Sequence, residues 1–501
     1  MQFCLRKYVL IMKNFFCLLL LFCTLQIQAQ EKPHIILIMT DQQRGDCLGK
    51  ENAQIFTPNI DKLADDGVWF SNGYSSVPSC TPARAGLLTG MSPWKHGMLG
   101  YYKVAEKYPY EMPQILRDNG YYTIGIGKMH WHPQRNLHGF HQTILDESGR
   151  VESPDFESDY RKWFKEQAPQ LNPDATGIGW NEHRASAYVL AENLHPTYWT
   201  SQTAIDFLKE YKDDKPLFLK VSFARPHSPY DPPKRFLDLY KDTDMPAPFM
   251  GDWANEFAHY PKDKDAAFGD YGVAHALNSR RHYYAAITFI DEQIGRLVDE
   301  LKRKGMYDNA LILFVSDHGD MLGDHNHWRK TYAYEGSTRI PFIMKWPNSD
   351  DTGQISKVEQ LHCVELRDIL PTMLDVGGIK KPNEMDGLSM MSIVRGEKQW
   401  REYIDLEHAT TYDSHNYWCA LTNGKTKYVW FFRTGVEQLF DLEKDEGEEV
   451  NLLTDGDYKK ELKYWRTRMV KHLKERGEPY LKSGKLNTFD KNILISPNYP
   501  Q

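Results

Sequence analysis

Four uninterrupted apolar runs, each closing on ionisable residues, constrain this chain more than anything else in it. His34–Thr40 (HIILIMT) ends at Asp41-Gln42, and Tyr121–Gly127 (YYTIGIG) ends at Lys128-Met129-His130. Pro216–Phe223 (PLFLKVSF) leads to Arg225-Pro226-His227, and Ala310–Ser316 (ALILFVS) ends at Asp317-His318-Gly319-Asp320. Runs of this length without alternation suit strands buried on both faces of a parallel sheet. Between them lie helical patterns. Tyr283, Ile287, Ile290, Ile294, Leu297 and Leu301 step by four or three residues into one apolar face, and Gly305 closes it. Strands alternating with helices predict an α/β fold. Ligands of such folds bind beyond the carboxyl ends of the strands, so the four charged ends are expected to form one site.

The texture changes after Val376-Gly377-Gly378. Trp418–Thr422, Lys427–Phe432 and Glu437–Leu442 read as short strands separated by Gly-containing turns. Asp457–Arg476 then reads as an amphipathic helix. A large domain over 30–385 and a small C-terminal α+β domain over 386–501, with a short antiparallel sheet, are expected.

Residues 1–29 have the form of an export signal: Arg6, Lys7 and Lys13, then the apolar FFCLLLLFCTL, then a small residue at Ala29. The apolar run is short for a membrane span, and no other segment is long and apolar enough for one, so no stable membrane insertion is expected. Lipidation at Cys23 is the lesser alternative, because Phe22 fits a lipoprotein box poorly. Removing the signal moves the formal charge from −7 to −10. Such a chain is a poor generic binder of nucleic acid. Cys47, Cys80, Cys363 and Cys419 would remain, too few for a disulfide scaffold of this size. A periplasmic or secreted enzyme is the expectation.

The candidate site residues fall into two sets. Asp41, Asp317 and Asp320 could hold Ca²⁺ or Mg²⁺, and the imidazole of His318 would also admit Mn²⁺ or zinc. Each Asp equally suits a helix or turn cap, and Gln42 a ligand or a plain loop residue. Lys128, His130, His227 and Lys330 form a cationic set suited to a tetrahedral oxyanion, with a histidine able to protonate a leaving oxygen. The His-rich Leu322–His327 lacks the helical spacing of a zinc motif, which leaves His327 as a possible substrate contact.

Cys80 joins these pieces. Its setting, C-T-P-A-R-A-G-L-L-T-G, resembles the signature of the type I, formylglycine-dependent sulfatases. The resemblance extends through I-L-I-M-T-D-Q, G-K-M-H, P-H-S-P, S-D-H-G-D, K-T-Y-A-Y-E-G-S-T-R-I-P and Q-L-F-D-L-E-K-D, nearly the whole mature chain. It implies an alkaline-phosphatase-like α/β/α sandwich with a mostly parallel central sheet. It also implies that a formylglycine-generating maturation enzyme oxidises Cys80 to an aldehyde, which hydrates to a geminal diol. One diol oxygen would attack sulfur and displace the alcohol. The second hydroxyl would then lose its proton and expel sulfate, a release that a thiol could not perform.

Position by position, the resemblance makes Asp41, Gln42, Asp317, His318 and residue 80 the metal ligands, with Ca²⁺ favoured and Mn²⁺ or Mg²⁺ as alternatives. Arg84 and Lys128 would hold the diol, and His130 would deprotonate it. His227 and Lys330 would clamp sulfate, with His227 the acid for the leaving oxygen. Many members carry Asp-Asp and Asp-Asn where this chain has Asp41-Gln42 and Asp317-His318. The Asp-His form also resembles choline sulfatases and phosphonate monoester hydrolases, which keeps choline or aryl sulfates and phosphonate or phosphate diesters as alternatives. The expected substrate is a sulfated carbohydrate, attacked from the chain end of a glycosaminoglycan or algal oligosaccharide, with a lean toward 2-O-sulfated uronic acid. Trp180–Arg184, His327–Arg329 and Asp413–His415 are candidate sugar contacts.

Overall fold

The computed structural model describes residues 32–147, 149, 156–259, 263–348, 359–397, 399–409, 412 and 416–500. The export segment 1–29, with Cys23, and the Asp413–His415 sugar-contact candidate lie outside the described residues. Seven strands form the central sheet: β1 (His34–Asp41), β2 (Val68–Trp69), β3 (Tyr122–Gly127), β4 (Gln142–Leu145), β5 (Leu217–Pro226), β6 (Ala310–Ser316) and β7 (Phe342–Lys345). Their spatial order is β2–β7–β6–β1–β5–β3–β4. β6, β1, β5, β3 and β4 run parallel, while β7 is antiparallel to both β6 and β2. The four apolar runs are thus four adjacent central strands, buried on both faces as their lack of alternation implies.

The two faces of β1 show how the layers are held. Ile35, Leu37 and Met39 pack with α1 (Cys80–Thr89), through Ala85, Leu87 and Leu88, in one apolar cluster. Ile36 and Ile38 belong to the other, which contains α2 (Pro196–Glu210) and α3 (Val273–Arg303). Ile290, Ile294, Leu297 and Leu301 of the predicted stripe lie in that second core. This alternation of side chains across a two-layered sheet makes the α/β/α sandwich.

The C-terminal part forms a four-stranded antiparallel sheet in the order β8 (Ile404–His408), β9 (Trp418–Thr422), β10 (Thr426–Phe431), β11 (Glu437–Asp441). Helix α4 (Lys459–His472) covers it through Leu462, Trp465 and Met469. The segment Met390–Val394 packs in the core of the large domain, so the small sheet begins only at β8. No helix among the described residues is long and apolar enough to cross a membrane.

Candidate active site

Cys80 is the first residue of α1, with Ser79 extended ahead of it (φ −155°, ψ 153°). Every residue of this helix is buried, and Gly90 ends it at φ 67°, where a side chain would strike Met385. Arg84 sits one turn beyond Cys80 and therefore on the same side of the helix. Its guanidinium spans the ends of β1 and β6. Nη2 lies 2.9 Å from Asp41 Oδ2 and 2.9 Å from Asp317 Oδ2, and Nε donates to Asp317 Oδ2 at 3.0 Å. Nη1 donates to the Lys128 carbonyl at 2.7 Å and to Ser222 Oγ at 3.2 Å, which ties in the end of β3 and the middle of β5 as well.

Asp41, Cys80, Asp317 and His318 each present an atom to one point, all within 4.8 Å of one another and all fully buried. Cys80 Sγ is 3.2 Å from His318 Nε2, 3.3 Å from Lys330 Nζ and 4.0 Å from Asp41 Oδ1. His318 Nδ1 donates to the Gly319 carbonyl at 3.0 Å, which leaves Nε2 as the nitrogen facing Cys80, the one a ligating histidine would offer; burial pulls the ring's pKa down, but Asp317 and Cys80 raise it above the usual imidazole value. Burial and the Asp41 carboxylate push the Cys80 thiol up, and Lys330, Lys128 and His318 outweigh them, bringing it to about 6. Burial also raises Asp41, but Lys128, His227, Arg84 and Lys330 hold it well below the usual carboxylate range. Two carboxylates, an imidazole and residue 80 are a donor set that suits a divalent cation.

Gln42 has a left-handed backbone (φ 70°), and its N–H donates to Asp317 Oδ1 at 3.0 Å. Its Oε1 accepts from Lys330 Nζ at 2.9 Å, and its amide donates to Asp320 Oδ2 at 2.6 Å. Asp320 itself is taken up by protein donors: Gln42, Tyr230 Oη and the N–H groups of Leu322 and Arg329. It holds the loop rather than joining the group of four.

Lys128 follows Gly127, whose φ of 93° and closeness to the Ser222 carbonyl exclude a side chain. Lys128 Nζ then reaches Asp41 Oδ2 at 2.5 Å. His130 also has a left-handed backbone (φ 60°), pinned where its N–H and that of Met129 donate to Glu147 Oε1 at 2.6 and 2.7 Å. Its Nε2 lies 3.4 Å from Tyr101 Oη. His227 donates its backbone N–H to the Asp41 carbonyl at 3.0 Å and Nδ1–H to the Ser228 carbonyl at 2.8 Å. Its Nε2 is buried without a hydrogen-bond partner among the described residues. Trp180 stacks on that ring at 4.9 Å and 24°, and its indole also faces the Lys128 and Arg225 cations at 5.4 and 5.5 Å.

The sequence reading put Asp41, Gln42, Lys128, Asp317 and His318 at strand ends, and these form one connected group with Cys80, Arg84 and Lys330, with His227 bonded to Asp41 and His130 held at Glu147. It missed Glu147, which fixes the His130 turn, and Ser222, which Arg84 reaches from a central strand. It also missed His408 of β8, whose Nε2 lies 3.0 Å from Ser79 Oγ. Among the described residues, Asp324, His325 and His327 belong to no group of three or more metal-binding side chains. Asp324 is paired with Arg44 and Arg280 instead.

A mostly parallel α/β/α sandwich whose strand-end carboxylates and imidazole gather on the cysteine that opens α1 defines an alkaline-phosphatase-like fold with a group of side chains able to bind a metal ion. The chain belongs to the sulfatase family: the Sulfatase family model matches residues 33–379, and the model "N-sulphoglucosamine sulphohydrolase, C-terminal" matches 323–475. It is a sulfuric ester hydrolase. It is 43% identical to an arylsulfatase of Clostridium perfringens over 91% of this chain and 97% of that one. It is 32% identical to a choline-sulfatase of Rhizobium meliloti over 84% and 82%. The structure of BT4656 in complex with D-glucosamine-2-N,6-O-disulfate superposes with a TM-score of 0.72 at 21% identity, covering 90% of this chain and 99% of that one.

Proposed function

We propose that this sulfatase is exported and removes sulfate from a carbohydrate through a formylglycine made from Cys80. The observation that carries the reading is the position of Cys80 Sγ, 3.2 Å from His318 and 3.3 Å from Lys330 within the four-residue ligand group. A residue at the first position of a fully buried helix, beside Lys330, Lys128 and Arg84, suits the seat of a nucleophile. The fold-level likeness to a protein bound to a sulfated glucosamine supports a sugar substrate.

Asp41, Asp317, His318 and residue 80, with the Gln42 amide oxygen as a further donor, would hold Ca²⁺, or Mn²⁺ or Mg²⁺ in its place. When bound, the ion supplies a Lewis acid that draws charge off the nucleophile and the sulfate oxygens. The rest is chemistry of the chain. Arg84 and Lys128 orient residue 80 and help to keep Asp41 ionised. Lys330 Nζ, already at Cys80, binds a sulfate oxygen and stabilises the charge that grows there. His227, whose Nδ1–H is committed to the Ser228 carbonyl, can gain or lose a proton only at Nε2; burial and Lys330 hold its pKa well below the usual imidazole range, so a proton taken up there is weakly held and readily given to the leaving oxygen. His130, held by Glu147, takes the proton whose loss frees sulfate.

Two results follow. Chelation of the purified enzyme is expected to abolish turnover of 4-nitrophenyl sulfate, with activity restored by Ca²⁺; unchanged turnover after exhaustive chelation would remove the metal from the account. His227→Asn is expected to lower kcat about 10²–10⁴-fold on a sugar sulfate but about tenfold or less on 4-nitrophenyl sulfate, whose phenolate leaves without a proton. Equal losses on both substrates would deny His227 the acid role.

Sulfate release from a panel of sulfated saccharides, including 2-O-sulfated uronic acids and 6-O- and N-sulfated glucosamines, tests the carbohydrate reading. Choline sulfate and 4-nitrophenyl sulfate serve as rivals. Turnover of the rivals alone would refute it. The Asp317-His318 pair also suits phosphonate monoesters and phosphate diesters, and sulfate and phosphodiester substrates with a common leaving group decide between them. Export is tested by whether the protein recovered outside the cytoplasm begins near Gln30.

A further inference from the structure

Ser79 stands at the N-cap of α1, where a serine side chain ordinarily accepts a hydrogen bond from the first turn of its own helix. Here it makes no such bond. Its Oγ lies instead 3.0 Å from Nε2 of His408, the last residue of β8 in the small sheet. Both residues are buried, and His408 Nδ1 has no hydrogen-bond partner among the described residues. Burial, and then the nearness of His318, hold this histidine down at about 3, so the ring is neutral. A fully buried strand position is filled at least cost by an apolar side chain. His408 bears the cost of desolvation and makes one polar side-chain contact, with the residue immediately ahead of Cys80.

Neighbouring bonds tie the small sheet to the same region. The Glu407 N–H donates to the Ser76 carbonyl at 2.8 Å, and the Thr331 N–H to the Pro78 carbonyl at 3.0 Å. Thr331 follows Lys330, whose Nζ reaches Cys80, and it has a left-handed backbone (φ 84°) that a β-branched residue adopts only under constraint. Asn416 and Trp418 supply that constraint, donating to Thr331 Oγ1 at 2.6 Å and to its carbonyl at 2.9 Å. The small sheet thus grips the chain ahead of residue 80 and again just after Lys330. The backbone groups of Ser79 bond only locally, N–H to the Val77 carbonyl and carbonyl to the Ala83 N–H. Its hydrogen bond to the small sheet is therefore the one to His408. Tilting the peptide between Ser79 and Cys80 would carry the side chain of residue 80 away from His318 and Lys330, now 3.2 and 3.3 Å from its sulfur.

We propose that His408 is a positioning residue for the sulfatase reaction, which acts through Ser79 to aim residue 80 at the metal ligands and the sulfate clamp. The proposal rests on residue 80 being the nucleophile, and it makes the small sheet a working part of the active site.

The test measures 4-nitrophenyl sulfate kinetics, expressed per mole of converted residue 80, beside a thermal melt. It compares Ser79→Ala, His408→Leu, His408→Gln and the double variant of Ser79→Ala with His408→Leu, and Cys80→Ala is the control. His408→Leu removes the bond and is expected to lower kcat about 10–100-fold, with KM within about twofold of wild type. Ser79→Ala is expected to do the same from the other side. His408→Gln can set an amide where Nε2 stood, and it is expected to keep kcat within about threefold of wild type. In the double variant the two kcat losses are expected not to multiply. Its melting temperature is expected to lie above that of His408→Leu, because no buried hydroxyl is left unpaired. Activity then stays low while stability returns, which a purely structural role would not produce. Wild-type kcat in His408→Leu, a His408→Gln as slow as His408→Leu, or losses that multiply in the double variant would overturn the proposal and leave residue 80 as the nucleophile. Turnover retained by Cys80→Ala would refute that nucleophile and the positioning role with it.

Discussion

Cys80→Ala is expected to lower kcat/KM on every sulfate ester by at least about 10⁴-fold, because it removes the proposed nucleophile. Its fold is expected to survive. Alanine is the best helix former, the position is the first residue of α1, and the Ser79–His408 contact ahead of it is untouched. The thiol it removes lies against His318 and Lys330, and neither depends on it for its place: His318 is also tied to Gly319, and Lys330 to Gln42. Steady-state kinetics beside a thermal melt measure both parts. A variant retaining more than about 1% of wild-type turnover would show that residue 80 is not the nucleophile.

Arg84→Met carries the second large effect, and here stability falls with activity. Arg84 is fully buried and bridges two fully buried carboxylates, Asp41 and Asp317, while also holding the Lys128 carbonyl. Without it, the two acids face each other with less compensation, a change that costs about 3–5 kcal/mol when one partner of a buried ion network is removed. Urea unfolding of the metal-free protein is expected to show that loss. Ca²⁺ is expected to return part of it, since a divalent cation between the carboxylates replaces the missing positive charge. Equal stability of wild type and variant without metal would mean that Arg84 does not balance these acids. Loss of the Lys128 anchor is expected to reduce kcat together with stability, since Lys128 Nζ itself lies on Asp41.

Much of this was legible because burial leaves a plain pattern. The runs His34–Thr40 and Ala310–Ser316 have no polar interruption, which only a strand covered on both sides tolerates, and they lie side by side in the sheet. Their terminal aspartates meet because parallel neighbours end on the same edge. The small sheet was legible in three of its strands. β8 (IDLEH) was not, because five residues with three ionisable side chains carry little strand signal by themselves. In the fold Asp405 and Glu407 are buried against Arg367 and Arg476, a compensation that comes from remote parts of the chain. Glu147 escaped for a like reason. Its use lies in accepting two backbone N–H groups from a turn seventeen and eighteen residues earlier, and no local motif marks that. Trp180 was visible only as one member of an aromatic-basic stretch. The structure separates that stretch: the indole faces His227, Lys128 and Arg225, while Glu182 pairs with Arg184 and Lys264. His327 stood out for histidine-rich surroundings whose spacing does not suit zinc, which left it as a candidate substrate contact; its ring is packed among aromatic side chains.

The strand ends, the ion network and the signature around Cys80 all support the central proposal, that residue 80 works as an aldehyde hydrate and not as a thiol. Mass spectrometry of the peptide spanning residue 80, from protein purified from its native host, tests that proposal most directly. The expected peptide has the mass of a CHO group in place of CH₂SH at position 80, and it resists thiol alkylation while reacting with an aldehyde-specific hydrazide. A fully active preparation whose residue 80 is an unmodified cysteine, alkylated in full after unfolding, would contradict the account.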